Sequence, residues 1–210
     1  RTMSILFGSQ SGSSEELAAK FAKQAIDYGL DATVHDMDGF DLSSLSGMKR
    51  VLIICSTWGE GEMPDNAEEL WLQASADSAP NLSGVNFSIL ALGDTSYEFY
   101  CQSGKDWDLL FEQLGAIRLV DRVDCDVDYD APAAAWALEA LPALAAVDGT
   151  GQFRADMVDI IKQHASGSGT TGAEGEDGFK LPTVVADLIQ VEISVFRYDP
   201  VTATTGTDTW

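Results

Sequence analysis

The chain has few basic residues. Its 210 residues include 12 lysines and arginines against 34 aspartates and glutamates, so the formal net charge is −22 at pH 7. Each contact with a nucleic-acid phosphate or an anionic membrane surface needs a basic group, so this charge argues against both partners. No apolar run approaches the roughly 20 residues that span a bilayer, and no signal peptide is visible. We therefore expect no nucleic-acid partner and no membrane span.

Cysteine is scarce as well. Cys55, Cys101 and Cys125 are the three cysteines of the sequence, and no two of them form a C-x-x-C pair. This pattern excludes a disulfide framework and an ordinary zinc or iron–sulfur site built by this chain alone. We therefore expect no metal site and a reducing compartment, which makes the cytoplasm the expected location.

Apolar runs alternate with helical patterns along residues 1–149. Strands are predicted over 4–7, 33–37, 51–55, 87–92 and 117–127. Helices are predicted over 13–28, from residue 64, over 104–114 and over 131–147, and Ser13 with Glu16 forms a candidate capping box at the first of them. Five strands with intervening helices predict one doubly wound α/β domain with a parallel sheet.

The pattern changes after Gly149. Residues 150–165 predict a short helical extension, and residues 166–180, rich in Gly, Ser and Thr, predict a flexible linker. In the tail, residues 181–210, the segment 191–196 alternates like a lone strand, which is not stable by itself. The tail is therefore expected either to dock a partner or to be the start of a truncated module.

The loop after the first predicted strand has the composition of a phosphate site. Ligands of open α/β sheets bind beyond the carboxyl ends of the strands. This loop, residues 8–14, has two glycines, four hydroxyls and no basic residue, so backbone N–H groups, hydroxyls and the positive helix end would hold the phosphate. This loop has neither the P-loop pattern nor the G-x-G-x-x-G pattern. The alternative is an ordinary hydroxyl-rich helix cap. The candidate phosphate-binding residues are Ser9, Gln10, Ser11, Gly12, Ser13 and Ser14.

The loops after the third and fourth predicted strands each contain a flat aromatic side chain, Trp58 and Tyr97. A loop tryptophan between small residues is poorly placed for a core and suits the face of an aromatic ligand, although it could also pack on a neighbouring helix. Flavin mononucleotide (FMN) requires a site of this kind, with a phosphate-binding loop beside two flat aromatic side chains. The candidate ring-binding residues are Ser56, Thr57, Trp58, Gly59, Leu92, Gly93, Asp94, Tyr97, Phe99, Tyr100 and Cys101.

These motifs resemble a flavodoxin-type FMN-binding domain, and most of all the FMN domain of the sulfite reductase flavoprotein subunit, a relative of cytochrome P450 reductase. The matching stretches are residues 7–16, 56–67, 90–108 and 122–129. The resemblance implies FMN as cofactor and a sheet order of 2-1-3-4-5 with helices on both faces. It also implies that residues 9–14 bind the phosphate, 56–59 border the ring and ribityl chain, and 92–101 wrap the isoalloxazine.

The resemblance further implies an electron-transfer module. It would pass single electrons from a reductase partner that holds NAD(P)H and FAD to a haem or iron–sulfur acceptor. No catalytic residue is expected, because the cofactor supplies the chemistry. Five acids and no base lie between Glu60 and Glu69, so we expect a basic partner to dock near Glu60, Glu62 and Asp65, although such acids are also typical of a solvated helix surface.

Two alternatives stay open at this point. In one, the chain is a flavodoxin-like subunit that its C-terminal tail anchors in a larger multi-subunit redox complex. In the other, it is a flavin-free α/β scaffold, because a fold does not by itself establish a function.

Overall fold

The central feature of the fold is a five-stranded parallel sheet. The computed structural model describes residues 1–167. Its strands are β1 (Thr2–Gly8), β2 (Asp31–Asp36), β3 (Arg50–Ser56), β4 (Asn86–Leu92) and β5 (Ile117–Cys125). They pair in the order β2-β1-β3-β4-β5. The predicted doubly wound architecture and its strand order are therefore confirmed.

Helices cover both faces of this sheet. They are α1 (Ser13–Ala25), α2 (Asp65–Ala74), α3 (Gln102–Gln113), α4 (Asp130–Ala145) and α5 (Val158–Ala165), with 3-10 turns at Ile26–Tyr28, Leu42–Gly47 and Ala155–Met157. Buried side chains of α1, α4 and α5 form one core with β1, β3 and β4, and those of α2 and α3 form a second core on the other face. Neighbouring residues of a strand therefore enter opposite cores, as Ile5 and Leu6 do, which explains the uninterrupted apolar runs.

The predicted capping box at α1 is wrong. The residue that precedes the helix is Gly12, in a left-handed conformation, and Ser13 already lies inside the helix without a side-chain cap. The Ser9 hydroxyl accepts hydrogen bonds from the N–H groups of Gly12 and Ser14 at 2.9 and 3.3 Å. A serine four residues upstream of Ser13 thus supplies the oxygen that local spacing assigned to Ser13.

Several element ends differ from their predicted positions. The strand β2 begins at Asp31, the helix α3 already begins at Gln102, and β5 ends at Cys125 rather than at residue 127. The strand β5 stops because the Asp126 carboxylate accepts the N–H of Val127 at 2.8 Å, which turns the backbone out of the ladder. Within the predicted helical extension, residues 150–165, the helix α5 covers Val158–Ala165 and follows the 3-10 turn Ala155–Met157.

Most of the predicted linker and the whole tail lie outside the described residues. This applies to every residue from 168 onward, including the strand-like segment 191–196, so the expectations for them stay predictions. Within residues 1–167, no helix is both long enough and apolar enough to cross a membrane.

Candidate functional site

The candidate site is a cleft at the carboxyl edge of the sheet. Because the strands are parallel, the segments that follow them meet at this edge. We call them the first loop (residues 9–12), the second loop (57–64), the third loop (93–101) and the fourth loop (126–129). The cleft between them has a volume of about 540 Å³, a size typical of small-molecule sites.

The first loop is fastened to the start of α2. The Ser9 N–H donates to Asn66 Oδ1 at 2.8 Å. Gln10 makes a reciprocal pair with Asp65: its side-chain nitrogen donates to Asp65 Oδ2, and its side-chain oxygen accepts the Asp65 N–H, both at 3.0 Å. Asn66 in turn donates to Asp36 Oδ1 at 2.8 Å. These bonds give the first loop a fixed shape without any ligand.

The first loop has unused hydrogen-bond donors at the positive end of α1. Within residues 1–167, the N–H groups of Gln10, Ser11 and Ser13 have no acceptor. The hydroxyls of Ser11 and Ser13 lie 3.3 Å apart. The Ser14 hydroxyl is fully buried and has no partner among the described residues, which is unusual for a buried polar atom. Such a cluster of free donors at a helix N-terminus suits an anion.

The second loop is a tight turn that projects Trp58. The backbone groups of Trp58 and Glu62 exchange two hydrogen bonds, of 3.0 and 2.9 Å, which close the turn. Gly61, at a φ of 107°, lies so close to the third loop that a Cβ there would be 2.9 Å from Phe99 Cβ. The Ser103 hydroxyl on α3 donates to the Glu62 carbonyl at 2.8 Å. The turn is therefore held on both sides while the Trp58 side chain stays 54% exposed.

The third loop projects Tyr97, which is also 54% exposed. The Asp94 carboxylate accepts the N–H and the hydroxyl of Ser96 at 2.8 and 2.6 Å, which shapes the turn just before Tyr97. At the far end of the loop, the Tyr100 hydroxyl donates to the Asp124 carbonyl at 2.9 Å. Within the described part of the chain, neither Trp58 nor Tyr97 packs against another aromatic ring. Both rings line the cleft with free surface.

The fourth loop contributes lining residues that the sequence analysis missed. Val127 and Tyr129 both border the cleft. The rule that ligands bind beyond the carboxyl ends of parallel strands applies to β5 as well, and it could have found them. Val127 was interpreted as strand because the fifth strand was expected to continue to residue 127, and Tyr129, which lies beyond that end, was assigned no role.

The structure brings most of the predicted site residues together. Of the predicted set, Ser9, Gly12 and Ser14 do not line the cleft; they form the underside of the first loop and the first turn of α1. The predicted residues that line it are Gln10, Ser11, Ser13, Ser56, Thr57, Trp58, Gly59, Leu92, Gly93, Asp94, Tyr97, Phe99, Tyr100 and Cys101.

The aspartates near the end of β5 have three different surroundings. Asp124 forms an ion pair with Arg122 at 2.6 Å, Asp126 binds the third loop, and Asp128 is exposed. In residues 1–167, no cluster of three or more His, Cys, Asp or Glu side chains could hold a metal ion.

The thiols around the cleft are buried and protonated. Burial, and after it the nearby Asp124 carboxylate, raise the pKa of Cys101 to about 12, against the opposing effect of Lys105. Burial likewise raises the pKa of Cys125 to about 11. Thiolates are the reactive form of cysteine, so neither side chain suits nucleophilic chemistry at neutral pH.

An acidic groove adjoins the cleft. Among residues 1–167, no positive side chain lines the cleft, and Asp94 is the one charged residue of its lining. The neighbouring groove, of about 620 Å³, shares Trp58 with the cleft and has an apolar floor that includes Met63 and Trp71. Its carboxylates are those of Glu60, Glu62, Asp65, Glu68 and Asp106. The predicted acidic face therefore lies directly beside the candidate flavin cleft.

Comparison with known proteins places this site in a family. The family model described as "Flavodoxin" matches residues 5–137, from β1 into α4. The chain belongs to the flavodoxin family. The expected cofactor, FMN, is confirmed by this membership and by the flavoproteins that the chain resembles.

The similar curated proteins are flavoprotein alpha-components of NADPH sulfite reductase. The one from Bacillus subtilis is 35% identical over 235 residues, and the match covers 95% of this chain and 39% of that protein. The one from Vibrio vulnificus is 39% identical over 166 residues, covering 79% of this chain and 27% of that protein. The predicted similarity to this flavoprotein subunit is therefore confirmed, and the chain spans less than half the length of these relatives.

Solved structures of flavodoxins share the fold. A cysteine variant of the Pseudomonas aeruginosa flavodoxin superimposes with a TM-score of 0.56 at 28% identity, over 67% of this chain and 99% of that one. A flavodoxin from Streptococcus pneumoniae TIGR4, at 23% identity and a TM-score of 0.55, shows the fold alone. The flavodoxin core thus accounts for about two thirds of this chain.

Proposed function

We propose that this flavodoxin-family chain is an FMN-dependent electron-transfer module that passes single electrons from an NAD(P)H- and FAD-containing reductase partner to a haem or iron–sulfur protein. The observation that carries the proposal is the cleft itself, in which free anion donors and two exposed aromatic rings lie at one edge of the sheet. The names of its relatives, flavoprotein components of NADPH sulfite reductase, support the same role.

The first loop fits the FMN phosphate. The free N–H groups of Ser11 and Ser13 and their hydroxyls provide donors without a lysine. The partial positive charge at the start of α1 adds to their attraction for an anion. In a protein this acidic, neutral donors hold the phosphate while the surroundings remain negative.

The aromatic walls fit the isoalloxazine ring. Trp58 and Tyr97 each have about half of their surface free, and each is fixed at its backbone by a closed turn. When bound, FMN accepts and releases electrons one at a time. Trp58 and Tyr97 would bind the ring and exclude water from its faces. The carboxylates of the acidic groove disfavour added negative charge on the ring and so lower its reduction potential.

We propose the acidic groove as the docking site for the basic redox partner. Its carboxylates raise the association rate with a basic protein over long distances, and salt screens this effect. The apolar floor around Met63 and Trp71 gives the aliphatic part of a lysine or arginine a surface to pack on. Because Trp58 borders both the groove and the cleft, a partner in the groove lies next to the cofactor.

Electron transfer to a basic haem protein tests this function. The full chain is loaded with FMN and reduced with NADPH and an FAD-containing NADPH reductase, and cytochrome c reduction is followed by stopped flow at increasing salt. In the groove variant, Glu60→Gln, Glu62→Gln and Asp65→Asn are combined. Asp65→Asn keeps an oxygen that accepts the Gln10 amide, so the first loop keeps its tie to α2.

The matched control replaces three exposed carboxylates away from the groove, by Asp27→Asn, Asp77→Asn and Asp121→Asn. We expect the groove variant to lose about tenfold in second-order rate at low salt and to converge with the wild type near 1 M salt. The control should lose much less. Equal losses in the two triple variants would contradict docking in the groove, and no electron transfer from the FMN-loaded wild type would contradict the proposed function.

A further inference from the structure

A carboxylate of the fourth loop holds the third loop in place. Asp126 Oδ1 accepts the Thr95 N–H at 3.1 Å, and Asp126 Oδ2 accepts the Thr95 hydroxyl at 2.6 Å. Asp126 Oδ1 also accepts the Val127 N–H at 2.8 Å. Both carboxylate oxygens are therefore used, and together they join two segments that border the cleft.

The rest of the third loop tip depends on local contacts. Tyr97 N–H donates to the Asp94 carbonyl at 3.1 Å, and Ser96 bonds to the Asp94 side chain. Between residues 94 and 98, the two bonds from Thr95 to Asp126 are the only hydrogen bonds in the described part of the chain that leave the loop. The next tie is at Tyr100, whose hydroxyl binds the β5 carbonyl of Asp124. Tyr97 itself is half exposed, so packing does little to fix its position.

We propose that Asp126 is a positioning residue for flavin binding: by fixing Thr95, it holds the loop that presents Tyr97 to the ring. This inference rests on the proposed FMN function. Asp126 itself does not line the cleft, so it acts through Thr95 and not by contact with the ring.

The protonation state of Asp126 agrees with this geometry. Hydrogen bonds from the Thr95 hydroxyl, and then from the Thr95 and Val127 N–H groups, hold the pKa of this carboxyl below its ordinary value. The carboxylate form, which can accept all three bonds, is therefore the form present at neutral pH.

Comparing the binding of FMN with that of riboflavin separates the role of Asp126 from that of the first loop, because riboflavin has the ring and lacks the phosphate. The full chain, freed of flavin, is titrated with each compound by flavin fluorescence, and the circular dichroism of the bound flavin is recorded between 300 and 500 nm, a window set by the flavin bands. The variants are Asp126→Ala, Asp126→Asn, Thr95→Val and the double variant Asp126→Ala with Thr95→Val. Asp128→Ala is the matched control, since it removes the same charge two residues away from an exposed carboxylate with no hydrogen bond among residues 1–167.

We expect Asp126→Ala to weaken the binding of FMN and of riboflavin by the same factor, about tenfold for the two lost hydrogen bonds to Thr95. The circular dichroism of the bound flavin should change as well. Asp126→Asn keeps an acceptor for the Thr95 N–H and should restore most of the affinity. The double variant should bind about as well as Asp126→Ala alone, because both changes remove the same contact. Asp128→Ala should bind both flavins like the wild type.

Three results would overturn the inference: unchanged affinity in Asp126→Ala, an equal loss in Asp128→Ala, or a loss for FMN alone. Urea unfolding of the flavin-free variants shows whether a loss reflects general instability. If the wild type bound neither flavin, the proposed function itself would fail. If the wild type bound both flavins and Asp126→Ala bound them equally well, only the positioning role of Asp126 would fail.

Discussion

The aromatic wall formed by Trp58 allows a quantitative prediction. A tryptophan side chain buries roughly 150–250 Å² when it is covered. Trp58 is 54% exposed, so a bound ring that covers it removes about 100 Å² from water, which at about 25 cal/mol per Å² stabilises the complex by about 2.5 kcal/mol. Ring stacking adds roughly 0.5–1.5 kcal/mol.

The change Trp58→Ala should therefore weaken FMN binding by about 2–3 kcal/mol, or roughly 30- to 150-fold, since alanine keeps part of the contact. Fluorescence titration of the flavin-free chain measures this loss. Trp58→Phe keeps a flat ring and should recover most of it. Leu72→Ala, which removes a side chain that is 62% exposed and borders the acidic groove instead of the cleft, should bind FMN like the wild type. A Trp58→Ala variant within twofold of the wild type would refute the placement of the ring against Trp58.

Three further predictions concern the phosphate loop, the helix that supports the site and the buried thiols. Ser11→Ala should weaken FMN binding about three- to tenfold and leave the affinity for riboflavin unchanged, since only FMN has the phosphate. Gly104→Ala should lower the free energy of unfolding in urea by about 1–3 kcal/mol, because a Cβ there would lie 3.0 Å from Ala91 Cα and closer still to the Ala91 side chain. The pKa of the buried Cys125 thiol is raised from 9.0 to about 11, so its contribution to the free energy of unfolding is fully present below pH 9 and is lost as pH rises through 11. Cys125→Ala should flatten that alkaline slope.

Each of these has a result that would contradict it. An equal loss of FMN and riboflavin affinity in Ser11→Ala would show that the first loop does not hold the phosphate. Gly104→Ala with wild-type stability would show that α3 can move away from β4 at no cost. An unchanged alkaline slope in Cys125→Ala would mean that other groups set the pH dependence.

The sheet and its order could be predicted because their signals are local and repeated. The run from Val51 to Cys55 is apolar throughout and is buried on both faces in β3, as a central parallel strand requires. Element ends were less predictable because individual side-chain hydrogen bonds set them, and no periodic pattern of the sequence indicates such bonds. Ser9 replaces Ser13 as the source of the capping oxygen, and Asp126 ends β5 through a bond to its neighbour and two bonds to Thr95.

The candidate site could be predicted as far as the edge-of-sheet rule was applied. The loops after β1, β3 and β4 supply most of the lining, whereas Val127 and Tyr129 after β5 were missed. The bonds that shape the loops, such as Gln10 with Asp65, join residues far apart in the sequence, and no periodic pattern indicates them. The roles of the lining residues toward FMN therefore remain predictions that the titrations above test.

Flavin uptake by the full chain is the direct test of FMN binding in the cleft. The flavin-free protein is titrated with FMN and followed by visible absorption, and the bound flavin is released by heat and identified by chromatography. We expect one equivalent of FMN per chain, with shifted absorption bands and quenched flavin fluorescence. A chain that stays folded and takes up no FMN would contradict FMN binding and would leave only the α/β fold established.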